Sequence, residues 1–120
     1  ILNGKPGIYS SRWSGKKNNF DLAIKRIFQS ISRIKSKYKK KKARFVCSLT
    51  IYWPDGKTYS STASVTGQIS LKKKGTKGFG YDPIFIPDRH IKTYGEMSPR
   101  YKMSIDHRNK AFKKIKKFFI

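Results

Sequence analysis

Acidic residues are scarce in this chain: only 6 of its 120 residues are Asp or Glu, against 29 Lys and Arg, and the formal net charge is +23. Such a charge is typical of proteins that bind RNA, DNA or a membrane surface. Most of the cations, however, are lysines, and many stand in runs such as 72–74. Arginine is the better reader of phosphates and base edges. We therefore expect solvated basic faces, with nucleic acid bound only non-specifically.

Cysteine and long apolar stretches are scarce as well, which excludes several classes of protein. The single cysteine, Cys47, rules out an intramolecular disulfide and a metal site with several cysteine ligands. No run of about eighteen apolar residues is present, so the sequence predicts no membrane span. It also shows no signal-peptide pattern. These features favour a cytoplasmic protein, and Cys47 is expected to be a core residue.

The few carboxylates are spread along the chain, at Asp21, Asp55, Asp82, Asp88, Glu96 and Asp106. Magnesium chemistry on phosphates generally needs clustered carboxylates, so we predict no metal ligands within these residues. No Ser-His-Asp or Cys-His set can be assembled either. The segment 55–58, Asp-Gly-Lys-Thr, ends like a phosphate-binding loop but lacks the upstream glycine, and a hairpin turn explains it better.

Apolar periodicity predicts one domain, 1–120, that mixes helices and strands. From Asn19 apolar residues recur every three or four positions, which predicts an amphipathic helix capped by Asn18 or Asn19 and ending near Tyr38. Ser98, followed by proline, and Asp106 have the chemistry of helix N-caps, so two further helices are expected to begin there.

Alternation of apolar and polar residues predicts the strands. A half-buried strand is expected over 43–53, followed by a turn at 54–56 and a returning strand over 57–65. Shorter strands are expected over 67–71 and 84–86. The order of elements predicts an α/β or α+β class.

Two segments offer the chemistry of a nucleotide site. Residues 78–85 read Gly-Phe-Gly-Tyr-Asp-Pro-Ile-Phe, and about twenty residues later come Lys102 and then Asp106-His107-Arg108. An aromatic face with donors and an acceptor at its edge suits a planar heterocycle. A cationic helix start suits phosphate.

These segments, with 93–99 (Thr-Tyr-Gly-Glu-Met-Ser-Pro) and 2–12, resemble the inosine/xanthosine triphosphate pyrophosphatases over essentially the whole chain. The resemblance implies a twisted mixed sheet with flanking helices, in two lobes with the active site between them. It implies hydrolysis of a purine nucleoside triphosphate to the monophosphate and pyrophosphate. It also implies Mg²⁺ and, for the complete protein, a homodimer.

The resemblance further assigns substrate-binding residues: Phe79, Gly80, Tyr81, Asp82, Lys102, His107 and Arg108. Phe79 is expected to stack on the purine, and Gly80 to let the backbone approach it. Tyr81 and Asp82 would shape the base edge, and Lys102 would hold a phosphate or that edge. His107 and Arg108 would donate to a 6-keto oxygen, where adenine has an amino group. The family usually has Ser at the position of Asp106, which also caps helices well.

In the family, the phosphate loop, the magnesium-binding acids and the catalytic base precede the segment that matches residues 4–10. We therefore expect an N-terminally truncated, C-terminal portion of such an enzyme, with Mg²⁺ ligands upstream of residue 1 and no activity on its own. Two alternatives stay open: a basic nucleic-acid-binding protein, and a non-catalytic nucleotide-binding relative.

Overall fold

The computed structural model describes residues 1–17, 19–34 and 41–119. Within these ranges the mixed α/β class predicted from the sequence is confirmed, and the three strands pair antiparallel in the order β1-β2-β3. No helix of the described ranges is both long and apolar enough to cross a lipid bilayer. The helices and strands are α1 Phe20–Ser32, β1 Lys42–Tyr52, β2 Thr58–Ile69, β3 Phe85–Pro87, α2 Pro99–Ile105 and α3 His107–Ile115.

The first helix begins where the sequence predicts it. The side chain of Asn19 accepts a hydrogen bond from the Leu22 amide, as an N-cap does. The apolar stripe is buried, and Ala23, Ile24 and Ile27 form its centre. The predicted end near Tyr38 is wrong, because the helix ends at Ser32 and Arg33 is its C-cap. Asn18 and residues 35–40 lie outside the described ranges.

β1 and β2 form the predicted hairpin, paired from Lys42 with Gln68 to Tyr52 with Thr58. At its turn the Asp55 carboxylate accepts from the Lys57 amide. The predicted division into strands at 57–65 and 67–71 is wrong, because β2 is continuous to Ile69. Gly67 is not a break: a Cβ there would lie 2.2 Å from the carbonyl oxygen of Ile86, so glycine lets β3 approach. Cys47 is only partly buried.

Two apolar clusters form the core. The first joins the buried face of α1 to Ile84, just before β3. The second lies between the hairpin and the C-terminal helices and contains Val65, Phe85, Tyr94 and Met97, with Phe45 packed against it. The two N-caps predicted for the C-terminal helices are confirmed. Ser98 accepts a hydrogen bond from the Tyr101 amide, and Asp106 accepts one from the Asn109 amide at 2.8 Å.

Candidate functional site

The segment 78–82 folds into a tight turn that its own carboxylate closes. Gly78 and Gly80 have positive φ angles of 74° and 63°, a region that glycine adopts without strain. The Phe79 amide donates to Oδ2 of Asp82 at 2.9 Å. A Cβ at Gly78 would lie 2.1 Å from that same oxygen. The turn leaves Phe79 63% exposed.

The turn is fastened to the short helix at Tyr94–Glu96. The Lys77 amide donates to the Gly95 carbonyl at 2.9 Å, and the Thr93 hydroxyl donates to the Lys74 carbonyl. A Cβ at Gly75 would fall 2.0 Å from the Gly95 oxygen, so the two backbones touch. Reciprocal capping by Thr93 and Glu96 holds the receiving helix. The segment that leads into the turn is therefore held against this short helix.

A buried ion pair links the turn to α2. Lys102 Nζ lies 2.6 Å from Asp82 Oδ2, and the two side chains are 9% and 5% exposed. The same ammonium lies 4.6 Å from the centroid of the Phe79 ring and 5.5 Å from that of Tyr94. A charge removed from water to this degree needs its partner to remain stable. Lys102 thus has a partner inside the protein, and its contact with a phosphate or a base stays a prediction.

Arg108 reaches the same ring from the first turn of α3. Its guanidinium carbon lies 5.3 Å from the centroid of Phe79, and its side chain is exposed. The structure therefore brings together Phe79, Asp82, Lys102 and Arg108, although the last two are distant from the first two in sequence. The exposed residues Phe79 and Arg108 therefore lie beside the buried pair of Asp82 and Lys102.

His107 is placed differently, because its ring is buried. The imidazole stacks on Phe45, with 5.0 Å between centroids and 15° between planes. Nδ1 is buried and finds no hydrogen-bond partner among the described residues, so contact with a ligand falls to Nε2. Burial lowers the pKa of His107, and the positive charges of Arg108 and Lys102 lower it further. The lowered pKa favours the neutral ring, which has a single N–H donor.

Tyr81 fastens the segment to the beginning of the chain. Its hydroxyl donates to the Ser10 carbonyl at 2.6 Å, and its ring meets Phe20 edge to face at 5.5 Å. Burial raises the pKa of Tyr81. Gly80 faces Phe20 as well, at 3.7 Å from the position of a Cβ. These contacts leave the predicted roles of both residues at the base edge untested.

The described carboxylates already serve the fold. Within the described ranges no group of three or more His, Cys, Asp or Glu could hold a metal ion. Each described carboxylate instead contacts another group of the protein. Their contacts are Asp21 with Lys73, Asp55 with the Lys57 amide, Asp82 with Lys102, Asp88 with Thr66, Glu96 with the Thr93 amide, and Asp106 with the Asn109 amide.

Sequence reasoning missed two residues behind this site, Phe45 and Tyr94. Phe45 lies in the predicted strand 43–53 and Tyr94 in the quoted segment 93–99, but neither received a role at the site. A burial pattern along a strand shows which side chains face inwards, but it does not show which helix they meet. Neither residue therefore carried a signal that pointed to Lys102 or His107.

Comparison with known proteins gives the family. The Ham1 family model matches residues 1–118. The dITP/XTP pyrophosphatase of Rhodospirillum centenum is 41% identical over 114 residues, which are 95% of this chain and 56% of that protein. The solved Ham1 protein of Staphylococcus aureus superposes with a TM-score of 0.86 at 34% identity, over 98% of this chain and 59% of its own.

A HAM1 protein from Coxiella burnetii is similar in structure too, with a TM-score of 0.87, 28% identity, and coverage of 98% of this chain and 59% of its own. The chain thus spans a little over half the length of the relatives it matches. Because the family model matches residues 1–118 and the similarity in sequence and fold covers 95–98% of the chain, the chain belongs to the Ham1 family.

Proposed function

We propose that the complete protein hydrolyses deaminated purine nucleoside triphosphates (ITP, dITP and XTP) to the monophosphate and pyrophosphate, which removes them from the nucleotide pool. In this proposal the described residues recognise the base. The observation that carries it is the convergence of the exposed Phe79 and Arg108 with the buried pair of Asp82 and Lys102. The name dITP/XTP pyrophosphatase, which relatives such as that of Rhodospirillum centenum have, supports it.

The exposed face of Phe79 provides the surface on which a purine stacks. Arg108 approaches that ring and is free to turn its guanidinium towards the edge of a bound base. With Nε2–H of His107 it supplies donors for a 6-keto oxygen, which hypoxanthine and xanthine have. Adenine has an amino group at that place, so a donor would face donors. Sites that depend on such polar matching reject the wrong base by roughly 10⁴-fold or more.

Asp82 has a second part in this arrangement. Its Oδ2 accepts from both the Phe79 amide and Lys102, so the carboxylate fixes the turn on which the stacking ring sits. The ring of Phe79 is then held at a fixed distance from α2, the helix that directly precedes the one carrying Arg108. Positioning of this kind lets binding energy orient the nucleotide for attack elsewhere along its phosphate chain.

We further propose that the complete protein uses Mg²⁺, forms a homodimer and acts in the cytoplasm. Magnesium, when bound, would neutralise phosphate charge and orient the attacking water. Since the carboxylates at hand serve the fold, its ligands and the catalytic base would come from residues outside these 120. The 120-residue chain alone is then expected to release no pyrophosphate from ITP.

The test of base recognition is the substitution Arg108→Ala in the complete protein, with Arg44→Ala as the control. Arg44 is exposed on β1, and its removal changes the net charge equally. Loss of a hydrogen bond from a charged donor, worth about 1.5–3 kcal/mol, should lower the ratio of kcat/KM for ITP to that for ATP by about 10- to 100-fold. The Arg44→Ala ratio should equal that of the wild type.

An unchanged ratio in Arg108→Ala would reject the role of this residue in reading the base. Turnover of ITP by the 120-residue chain with magnesium would show that the catalytic base lies within it. A protein that binds RNA with a steep dependence on salt, and does not distinguish ITP from ATP, would favour the nucleic-acid-binding alternative.

A further inference from the structure

We infer that Tyr94 is a positioning residue for base recognition: its buried ring supports the ammonium of Lys102 directly and the imidazole of His107 through Phe45. The inference rests on the proposed function, because it concerns how the base-reading groups are kept in place. Tyr94 itself is fully buried and touches no ligand.

The first support is the environment of Lys102. Its ammonium lies 5.5 Å from the Tyr94 ring and 4.6 Å from the Phe79 ring, with the Asp82 carboxylate at 2.6 Å. Attraction between a cation and an aromatic face is strongest where water is excluded. Tyr94 supplies the inner of these two faces, since it is 0% exposed, and Phe79 supplies the outer one. Removing the inner face would allow Lys102 to move, and the turn at Asp82 to move with it.

The second support is a set of nearly parallel rings. Phe45 lies 5.8 Å from Tyr94 with 17° between their planes, and 5.0 Å from His107 with 15° between planes. Phe45 therefore contacts both rings in offset stacks, a geometry that contributes beyond burial alone. Because His107 has no hydrogen bond at Nδ1 among the described residues, ring packing is what orients its imidazole. A shift of Tyr94 would reach His107 through Phe45.

Together the two contacts make Tyr94 the common support of groups that come from α2 and α3. Its ring sets the separation between the pair Asp82–Lys102, which holds the stacking turn, and His107, which would meet the keto oxygen. A displacement of about 1 Å is enough to impair a positioned site severely. Loss of the ring should therefore damage the choice between bases more than it damages turnover in general.

The experiment compares three substitutions in the complete protein: Tyr94→Leu, Tyr94→Phe and Phe85→Leu. Phe85 is a matched control, because it is equally buried and packs on Phe45 and Tyr94 at 4.5 and 5.2 Å. It makes no ring contact with Lys102 or His107 within the described ranges. Values of kcat and KM for ITP and ATP are measured below the melting temperature of every variant.

Tyr94→Leu should lower the ITP-to-ATP ratio of kcat/KM by about tenfold or more, equivalent to ~1.4 kcal/mol of discrimination, chiefly through a higher KM for ITP. Tyr94→Phe keeps the ring and should restore the wild-type ratio. Phe85→Leu should lower stability but leave the ratio within about twofold, because it keeps the Tyr94 ring beside Lys102 and the Phe45 ring stacked on His107. Should Tyr94→Leu fail to fold, Tyr94→Met fills the same space without a ring.

A wild-type ratio in Tyr94→Leu or Tyr94→Met overturns the inference and leaves the proposed function intact. An equal fall in Phe85→Leu also overturns it, because core packing in general would then explain the effect. If the wild-type protein itself does not distinguish ITP from ATP, both the proposed function and the inference fail.

Discussion

Replacing Gly78 with alanine tests whether the turn at 78–82 and the buried ion pair form one unit. The substitution adds a single methyl group at a position with a φ of 74°. That methyl would lie 2.1 Å from Asp82 Oδ2, whereas real Cβ atoms essentially never come closer than 3.0 Å to such an atom. The carboxylate or the turn must therefore move by roughly 1 Å.

Two separate effects add up to the expected loss. The left-handed backbone conformation costs an alanine about 1–2 kcal/mol. The displaced Oδ2 also loses the bonds from Lys102 and from the Phe79 amide, since a bond of 2.6 Å that lengthens by this amount leaves hydrogen-bonding range. Each bond to a charged group is worth about 1.5–3 kcal/mol. We expect Gly78→Ala to lower the free energy of unfolding by about 4–8 kcal/mol, the sum of the backbone strain and the two lost bonds.

Gly56→Ala is the matched control, because Gly56 has a φ of 90° and a Cβ there would meet nothing within 4 Å. It should show the backbone strain alone, about 1–2 kcal/mol. Urea unfolding of the complete protein measures both values, and steady-state kinetics on ITP should show a higher KM only for Gly78→Ala. Equal stability losses in the two variants, with an unchanged KM, would refute the coupling of the turn to the ion pair.

Two further predictions concern the buried charges. Lys102→Met leaves the Asp82 carboxylate buried without its cation and should destabilise the complete protein by about 3–5 kcal/mol. The double variant Lys102→Met/Asp82→Asn should recover part of this loss in urea unfolding. No recovery would contradict a direct pairing of the two side chains. The lowered pKa of His107 means that the unfolded chain takes up a proton more readily than the folded one, so stability should be full above the ordinary value of 6.5 and should fall as the pH drops below it. His107→Gln should flatten this slope in urea titrations at pH 5 to 8, and equal slopes in the two proteins would disprove the assignment.

Local chemistry allowed several elements to be predicted from the sequence. Asn19, Ser98 and Asp106 can satisfy free backbone amides within three residues, so their capping roles depend on no distant partner. The hairpin turn at Asp55 is equally local. A resemblance carried by segments with unusual glycine and aromatic spacing then assigned the candidate site residues, because such spacing arises from backbone constraints that few other residues satisfy.

Long-range packing explains what the sequence did not reveal. A separate strand was expected to begin at Gly67, yet the role of this glycine depends on the approach of Ile86 in another strand. The pairing of Lys102 with Asp82 was not predicted, because nothing in the sequence indicates that these two residues, twenty positions apart, face each other inside the protein. The stack of His107 on Phe45 joins α3 to β1, and strand periodicity alone does not identify such partners.

Asp82 Oδ2 accepts hydrogen bonds from both the Phe79 amide and Lys102, which has a consequence for how base preference could diverge in evolution. A change at Asp82 or Lys102 alters the turn and the stability of the protein together, so selection for folding opposes it. Arg108 is exposed and contributes to no ion pair among the described residues, so it can change at little cost in stability. Relatives with a different base preference should therefore differ at this arginine and keep the aspartate and the lysine.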